Sequence, residues 1–365
     1  MFLQFGAGNF LRAFADLFID QLNRSPATSV GPVVVVQSTG KERVEALNRA
    51  GGRYHVAIQG YQAGRVVNDT ETIGSLAEAL SAATQWDRVL ALAGDPALQG
   101  ILSNTTEAGL ALDPADASPS GVPQSFPAKL LAVLLARHRV GLAGVRVIPC
   151  ELVESNGRCL RDLVLSQADR WRVPAHIQSW LRDDCRWITT LVDRIVPGPP
   201  REHPLLGVDP LLLSAEPFAF WGVETTGDAG FPLWQHPAVV RAPDISPFTL
   251  RKVRILNGAH SALVCKARDF GVETVRECLD HPDIGRWLED LLFGEIVPVL
   301  EGRCDDPAGF ARTTLDRFRN PFLEHRLSSI ALNHEAKLAV RLRPTLEEYQ
   351  RRFGNWPPLL SEILR

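Results

Sequence analysis

Phe2-Leu-Gln-Phe5-Gly6-Ala-Gly8-Asn9-Phe10-Leu-Arg12 decides the fold, because it joins an apolar run to a helical pattern through a glycine turn. The pattern continues through Phe14, Leu17, Phe18 and Leu22, at helical spacings of three and four. Gly31-Pro-Val-Val-Val-Val36 follows, a β-branched run that reads as a strand buried on both faces. Strand, glycine turn, helix, strand is the opening of a βαβ unit and of a parallel sheet. Outward from there the alternation persists. Helices are expected at Ala77–Ala83, Asp87–Leu92, Pro127–His138 and Asn156–Ala168, with strands at Gly100–Ser103 and Val145–Ile148. Pro197 to Pro247 is rich in prolines and aromatics and reads as ordered loops and short strands. Beyond Pro247 the pattern is helical. The expected fold class is α/β then α: a Rossmann-like domain over 1–243, then a mostly helical domain over 244–365, with the active site in the cleft between them.

The bulk composition sets limits on function. With 39 Lys+Arg against 42 Asp+Glu, the formal charge of −3 offers no footprint for nucleic acid or an anionic membrane. The composition is 45% hydrophobic and 22% charged, as in globular chains. None of the six cysteines is spaced C-x-x-C, and no His/Cys cluster suggests a metal, which fits reduced thiols. Neither a signal peptide nor a long apolar span is visible, so the expected location is cytoplasmic. The sequence leaves the oligomeric state open; a monomer is compatible with it.

Gly6 and Gly8 occupy the position of a dinucleotide fingerprint, directly between the first strand and the first helix. Gly6 permits the turn, and Gly8 lets the backbone approach a pyrophosphate. Leu11 replaces the third glycine, so the motif is equally compatible with a bare turn. After the second strand, Gln37-Ser-Thr-Gly-Lys41 carries no acidic residue to bond ribose, and Lys41 and Arg43 are candidates to meet a 2′-phosphate. On an α-helix, Asn257 would lie about 140° and His260 about 80° from Lys252, all on one broad side. That set suits carbonyl reduction, with a lysine exchanging the carbinol proton and an amide holding the oxyanion. A surface lysine, a capping asparagine and a core histidine would produce the same spacing. Asn156, after a strand end, reads as a site residue or a helix N-cap; Asp193, within Leu191–Val196, as a site residue or half of an ion pair.

Gln4–Ala13, Lys252-x4-Asn257-x2-His260 and Arg317-Phe-Arg-Asn-Pro321 together resemble the polyol-specific long-chain (mannitol) dehydrogenase family. Ser103–Gly109, Phe126–Lys129, Ile148–Leu152, Leu191–Val196 and Ser329–Asn333 extend the likeness in the family's order. The resemblance implies an oxidoreductase using NAD on a small sugar acid, interconverting a hexonate such as D-altronate with its keto form, D-tagaturonate. It implies Lys252 as acid/base, Asn156 and Asn257 as the oxyanion hole, and His260 as the substrate-orienting residue. Asp193 and Lys337 match pocket positions, and His260, Lys337 and Arg319 are unranked candidates for the cation that a carboxylate should need. Gly6, Gly8, Asn9, Phe10, Arg12, Asn104 and Thr105 match the cofactor side. Thr249 and Ser329 stand where mannitol-type members have glutamate and arginine, which argues against a simple polyol. Two rival readings are kept: reduction of fructuronate or oxidation of mannitol, and a non-catalytic sugar- or nucleotide-binding short form, since the resembled enzymes continue past the position of Arg365.

Overall fold

The computed structural model describes residues 1–105, 109–225, 227 and 230–364. Thr106 and Glu107, part of the polar segment after the strand Gly100–Ser103, lie outside the described residues. The strands are β1 (Phe2–Phe5), β2 (Val33–Gln37), β3 (Tyr54–Gln62), β4 (Arg65–Ile73), β5 (Leu76–Ser81), β6 (Gly100–Ser103), β7 (Arg146–Pro149), β8 (Arg186–Trp187), β9 (Thr189–Asp193), β10 (Leu213–Ala215), β11 (Phe220–Glu224) and β12 (Val239–Ala242). Six form a parallel sheet in the order β5-β2-β1-β6-β7-β8. The order reverses between β1 and β6, so their carboxyl ends frame the crevice where doubly wound sheets take ligands. β1 and Val33–Val36 of β2 are buried on both faces, as parallel pairing requires. The two smaller sheets run β10-β3-β4 and β12-β11-β9.

One expected helix is a strand. Ala77–Ala83 overlaps β5, where Ala79 and Leu80 pair with Val35 and Val36. Alanine, leucine and glutamate favour helices intrinsically, but the open edge of β2 and the buried apolar side chains outweigh that weak preference. The hairpin β3–β4 carries no comparable sequence signal and is an addition to the expected layout.

The chain separates into two compact units, one comprising 1–57, 70–215 and 219–243, the other 58–69, 216–218 and 244–365. The first holds the parallel sheet and its helices, with a core that includes Leu3, Val34, Val36, Ile101, Leu131 and Leu160. The second is mainly helical, built around Leu263, Leu288, Leu291, Leu315 and Leu342. A contiguous division misses the two inserted pieces of the second unit, and the reason is polar. Arg317 donates to both carboxylate oxygens of Glu216 at 3.0 and 2.8 Å, with both side chains 2% exposed. Its guanidinium also stacks on Phe218 at 4.3 Å, and Asn320 Nδ2 donates to the Gln59 carbonyl at 3.1 Å. The Arg317–Pro321 motif is thus a clamp on distant segments of its own unit. Among the described residues, no helix is long and apolar enough to cross a membrane.

Candidate functional site

In the first unit a cavity of about 720 Å³ opens at the carboxyl ends of β1 and β6. Gly6, Gly8, Asn104 and Thr105 line it, together with Gln37, Ser38, Thr39 and Arg43 beyond β2. Gly6 is required by the chain itself: its φ is +125°, and a Cβ there would meet the Asn104 carbonyl at 3.3 Å. Gly8 is different. Its φ of −69° and ψ of 169° suit any residue, and a Cβ would have nothing within 4 Å. Neither backbone nor packing asks for glycine, whereas a dinucleotide pressed against the loop would. The residues therefore fit the group that the motif implies.

Three residues expected on the cofactor side do not line this cavity. Arg12 is 1% exposed, donating to the Leu211 carbonyl and to Asn9 Oδ1, each at 2.8 Å. Burial pushes its pKa down to about 10. It is a tether between loops rather than a ligand contact. Asn9 is held by that arginine, and Phe10 stacks on Phe14 with ring centroids 4.8 Å apart. Sequence adjacency to the glycine turn suggested a shared role, but the long-range bond of Arg12 to Leu211 and the local contacts of Asn9 and Phe10 decide where these side chains go. Lys41 is exposed and pairs with Glu45 at 3.4 Å, leaving Arg43 as the basic residue of this segment in the wall.

Beyond β6 and β7, Thr105 N donates to the Glu151 carboxylate at 2.9 Å and Asn104 Nδ2 to the Cys150 carbonyl at 2.6 Å. Burial raises the Glu151 pKa from its ordinary value, partly offset by the hydrogen bonds it accepts from Thr105 and Ser103. Asn156 opens the helix Asn156–Arg170, behind Ser155 in the left-handed region at φ 52°. Its amide is not a cap. Nδ2 has the carbonyls of Pro149 and Glu151 at 3.2 and 3.0 Å and Thr190 Oγ1 at 3.2 Å, while Oδ1 accepts from Thr190 N at 2.8 Å. An amide has two N–H bonds, and these acceptors use both. The oxyanion role implied for Asn156 is therefore corrected: fully buried, it pins the end of β7 to β9. Asp193, 6% exposed, ends β9 opposite Phe220.

In the second unit, Lys252–Asn257 is not α-helical but a π-helical turn, between helices Ser246–Arg251 and Gly258–Lys266. With bonding from i to i+5, each residue advances less than about 90°. Five steps then carry Asn257 back toward the face of Lys252, closer than the α-helical spacing gives. Asn257 is half-buried, and its side chain caps nothing. His260 is 8% exposed, packed against Phe318 at 4.3 Å and His325 at 4.7 Å between centroids. Burial, then the nearby His325, Arg317, Arg341 and Lys337, hold its pKa well below the ordinary histidine value. Its buried Nε2 has no hydrogen-bond partner among the described residues, so its bonding capacity is left unsatisfied there. Lys337 lies on the helix His334–Arg341, with Nζ donating to the Ile330 carbonyl at 2.8 Å. Arg319 is elsewhere: 40% exposed, it pairs with Glu289 at 3.0 Å and Asp316 at 3.7 Å. Its contacts in the structure are those of a surface ion-pair network.

The geometry has counterparts among known proteins. Residues 1–236 match the mannitol dehydrogenase Rossmann domain, and residues 244–363 the mannitol dehydrogenase C-terminal domain. The altronate oxidoreductase of Bacillus subtilis (strain 168) is 37% identical over 373 residues, covering 98% of this chain and 77% of the relative. That of Yersinia pestis is 40% identical over 378 residues, covering 99% and 78%. Two solved structures share the fold at 21% identity. A D-sorbitol dehydrogenase in substrate-free form gives a TM-score of 0.83, covering 96% of this chain and 76% of its own. The Pseudomonas fluorescens mannitol 2-dehydrogenase ternary complex with NAD and D-mannitol gives 0.79, covering 100% and 77%. With both family domains matched in order and near-complete alignment to relatives well above 30% identity, the chain belongs to the mannitol dehydrogenase family.

Proposed function

We propose that this protein is an NAD-dependent oxidoreductase acting on the CH–OH group of a hexonate, interconverting D-altronate and D-tagaturonate. The observation that supports the substrate assignment is the 37–40% identity to enzymes named altronate oxidoreductase, over 98–99% of this chain and 77–78% of theirs. When bound, the nicotinamide ring gives or takes the hydride at the carbinol carbon. The glycine loop admits the dinucleotide backbone, and Gln37 and Ser38 are neutral partners for ribose hydroxyls.

In the reducing direction the Lys252 ammonium delivers a proton to the carbonyl oxygen as the C=O π bond breaks and its electron pair moves to that oxygen. In oxidation the neutral amine takes the proton back. Asn257, brought toward the same face by the π turn, donates an amide N–H to the developing oxyanion. His260, kept neutral by burial, presents Nε2 to a substrate hydroxyl. Asn156 supports the site by fixing the chain at the end of β7, and Asp193 and Lys337 are proposed to contact the substrate's polar groups.

The test is NADH absorbance with tagaturonate, fructuronate and fructose offered separately, on wild type and Lys252→Ala. Turnover of tagaturonate in preference to the other two is expected. The variant should lose about 10²–10⁴-fold in kcat while NADH affinity stays unchanged. Preferred turnover of fructuronate or fructose would move the substrate assignment, and a variant keeping about half the wild-type rate would sink the role of Lys252.

A further inference from the structure

Arg341 closes the helix that carries Lys337, one helical turn further on, so both cations lie on the same helix face. A like-charged pair at this spacing is unfavourable on its own. The helix packs against both the π turn with Lys252 and the helix with His260. Arg341 is half-buried, and its Nη1 donates to Oγ of the fully buried Ser261 at 3.1 Å. Burial lowers its pKa, and no acidic group offsets that shift. Arg254 and Arg317 of the same unit are paired with Glu348 and Glu216. Arg341 has no carboxylate partner among the described residues; Glu335 on its own helix faces Arg343 instead, at 3.7 Å. Among the described residues Lys337 likewise bonds a carbonyl and no carboxylate, and its pKa is lowered by burial and by Arg341. His260 and His325 complete a wall of groups that are positive or neutral.

A half-buried guanidinium without a counter-charge carries a desolvation cost that an incoming anion relieves. We propose that Arg341, with Lys337 beside it, receives the carboxylate of the substrate and sets the preference for a sugar acid over a neutral polyol. This rests on the hexonate reading above and names the residue that would enforce it. Arg341 binds rather than reacts: its planar fork holds the carboxylate, while the acid/base chemistry stays with Lys252.

The experiment compares wild type, Arg341→Gln and Arg341→Lys in NADH-coupled turnover of tagaturonate and of fructose, with sulfate as a competing anion. Circular dichroism and thermal melting verify that each variant folds. Loss of one charge-assisted contact predicts a KM for tagaturonate about ten- to a hundredfold higher in Arg341→Gln. Arg341→Lys should recover part of this, and the fructose rate should not fall. Sulfate should compete with tagaturonate in wild type and much less in Arg341→Gln. An equal loss on both substrates would mean a merely structural arginine and overturn the proposal, as would an unchanged tagaturonate KM in a folded Arg341→Gln. If wild type turns over no hexonate, calorimetric titration of altronate separates the two ideas: Arg341-dependent binding keeps this one while the hexonate reaction fails, and absent binding removes both.

Discussion

Replacing Gly8 by valine should separate cofactor binding from folding. At φ −69° and ψ 169° the backbone accepts a β-branched residue, and a Cβ meets nothing within 4 Å. Stiffening the unfolded chain contributes about 0.4–1 kcal/mol of stability. Exchanging glycine for an apolar residue at a helix N-cap costs a similar amount. The net change in stability should therefore stay within about 1 kcal/mol. Cofactor affinity should behave otherwise, because the new side chain fills space that the structure leaves open beside the loop. Displacing one charge-assisted hydrogen bond to a pyrophosphate costs about 1.5–3 kcal/mol, or about 10- to 150-fold in Kd. Gly6→Ala is the counter-experiment: at φ +125°, facing a carbonyl at 3.3 Å, it should destabilise the fold by about 1–3 kcal/mol. Thermal melting and NADH fluorescence titration of both variants suffice. A stable Gly8→Val protein that binds NADH like wild type would show that the loop is only a turn.

Other perturbations probe the two units separately. Arg43→Gln should lower kcat/KM with NADPH and spare NADH, since Arg43 rather than Lys41 lines the cavity; wild type should favour NADH modestly, and a tenfold preference for NADPH, about 1.4 kcal/mol, would refute this. Asp16 is fully buried, and burial pushes its pKa up to about 7 from 3.8. The native state then keeps a proton that the unfolded chain releases above about pH 4, so this group's contribution falls as pH rises from about 4 to 7 and levels off beyond. Measured against Asp16→Asn in urea, wild-type stability should decline across that window by up to about 1.4 kcal/mol per pH unit, and a pH-independent difference would contradict the assignment. Arg317→Ala should lower the unfolding free energy by about 3–5 kcal/mol, because Glu216 would remain buried without its partner. A shift under about 1 kcal/mol in urea titration would mean that Glu216 finds water or another donor.

The parts of this molecule that local chemistry dictates were readable from the sequence. A β-branched run, a glycine turn and an apolar helical stripe lead to the β1–β2 opening, and the crevice follows from where the strands end. What escaped depends on partners far along the chain. Arg12 looks like a loop residue until the Leu211 carbonyl is seen holding it. β5 looks helical until β2 offers its edge. Asn156 looks like a donor awaiting a ligand, yet Pro149, Glu151 and Thr190 already saturate it. Arg341 stands four residues from Lys337 as a like-charged neighbour, but that no carboxylate pairs with it among the described residues is seen only in three dimensions.

The π turn at Lys252–Asn257 has a further consequence for how this helix tolerates insertions and deletions. A π segment amounts to one extra residue accommodated within an otherwise α-helical path. Deleting one residue there would let the ladder revert to α geometry, with the flanking helices Ser246–Arg251 and Gly258–Lys266 still in line. The fold would survive, but Lys252 would swing around the axis relative to Asn257 and His260. A one-residue gap at this position in a relative would therefore signal altered chemistry rather than a harmless length change.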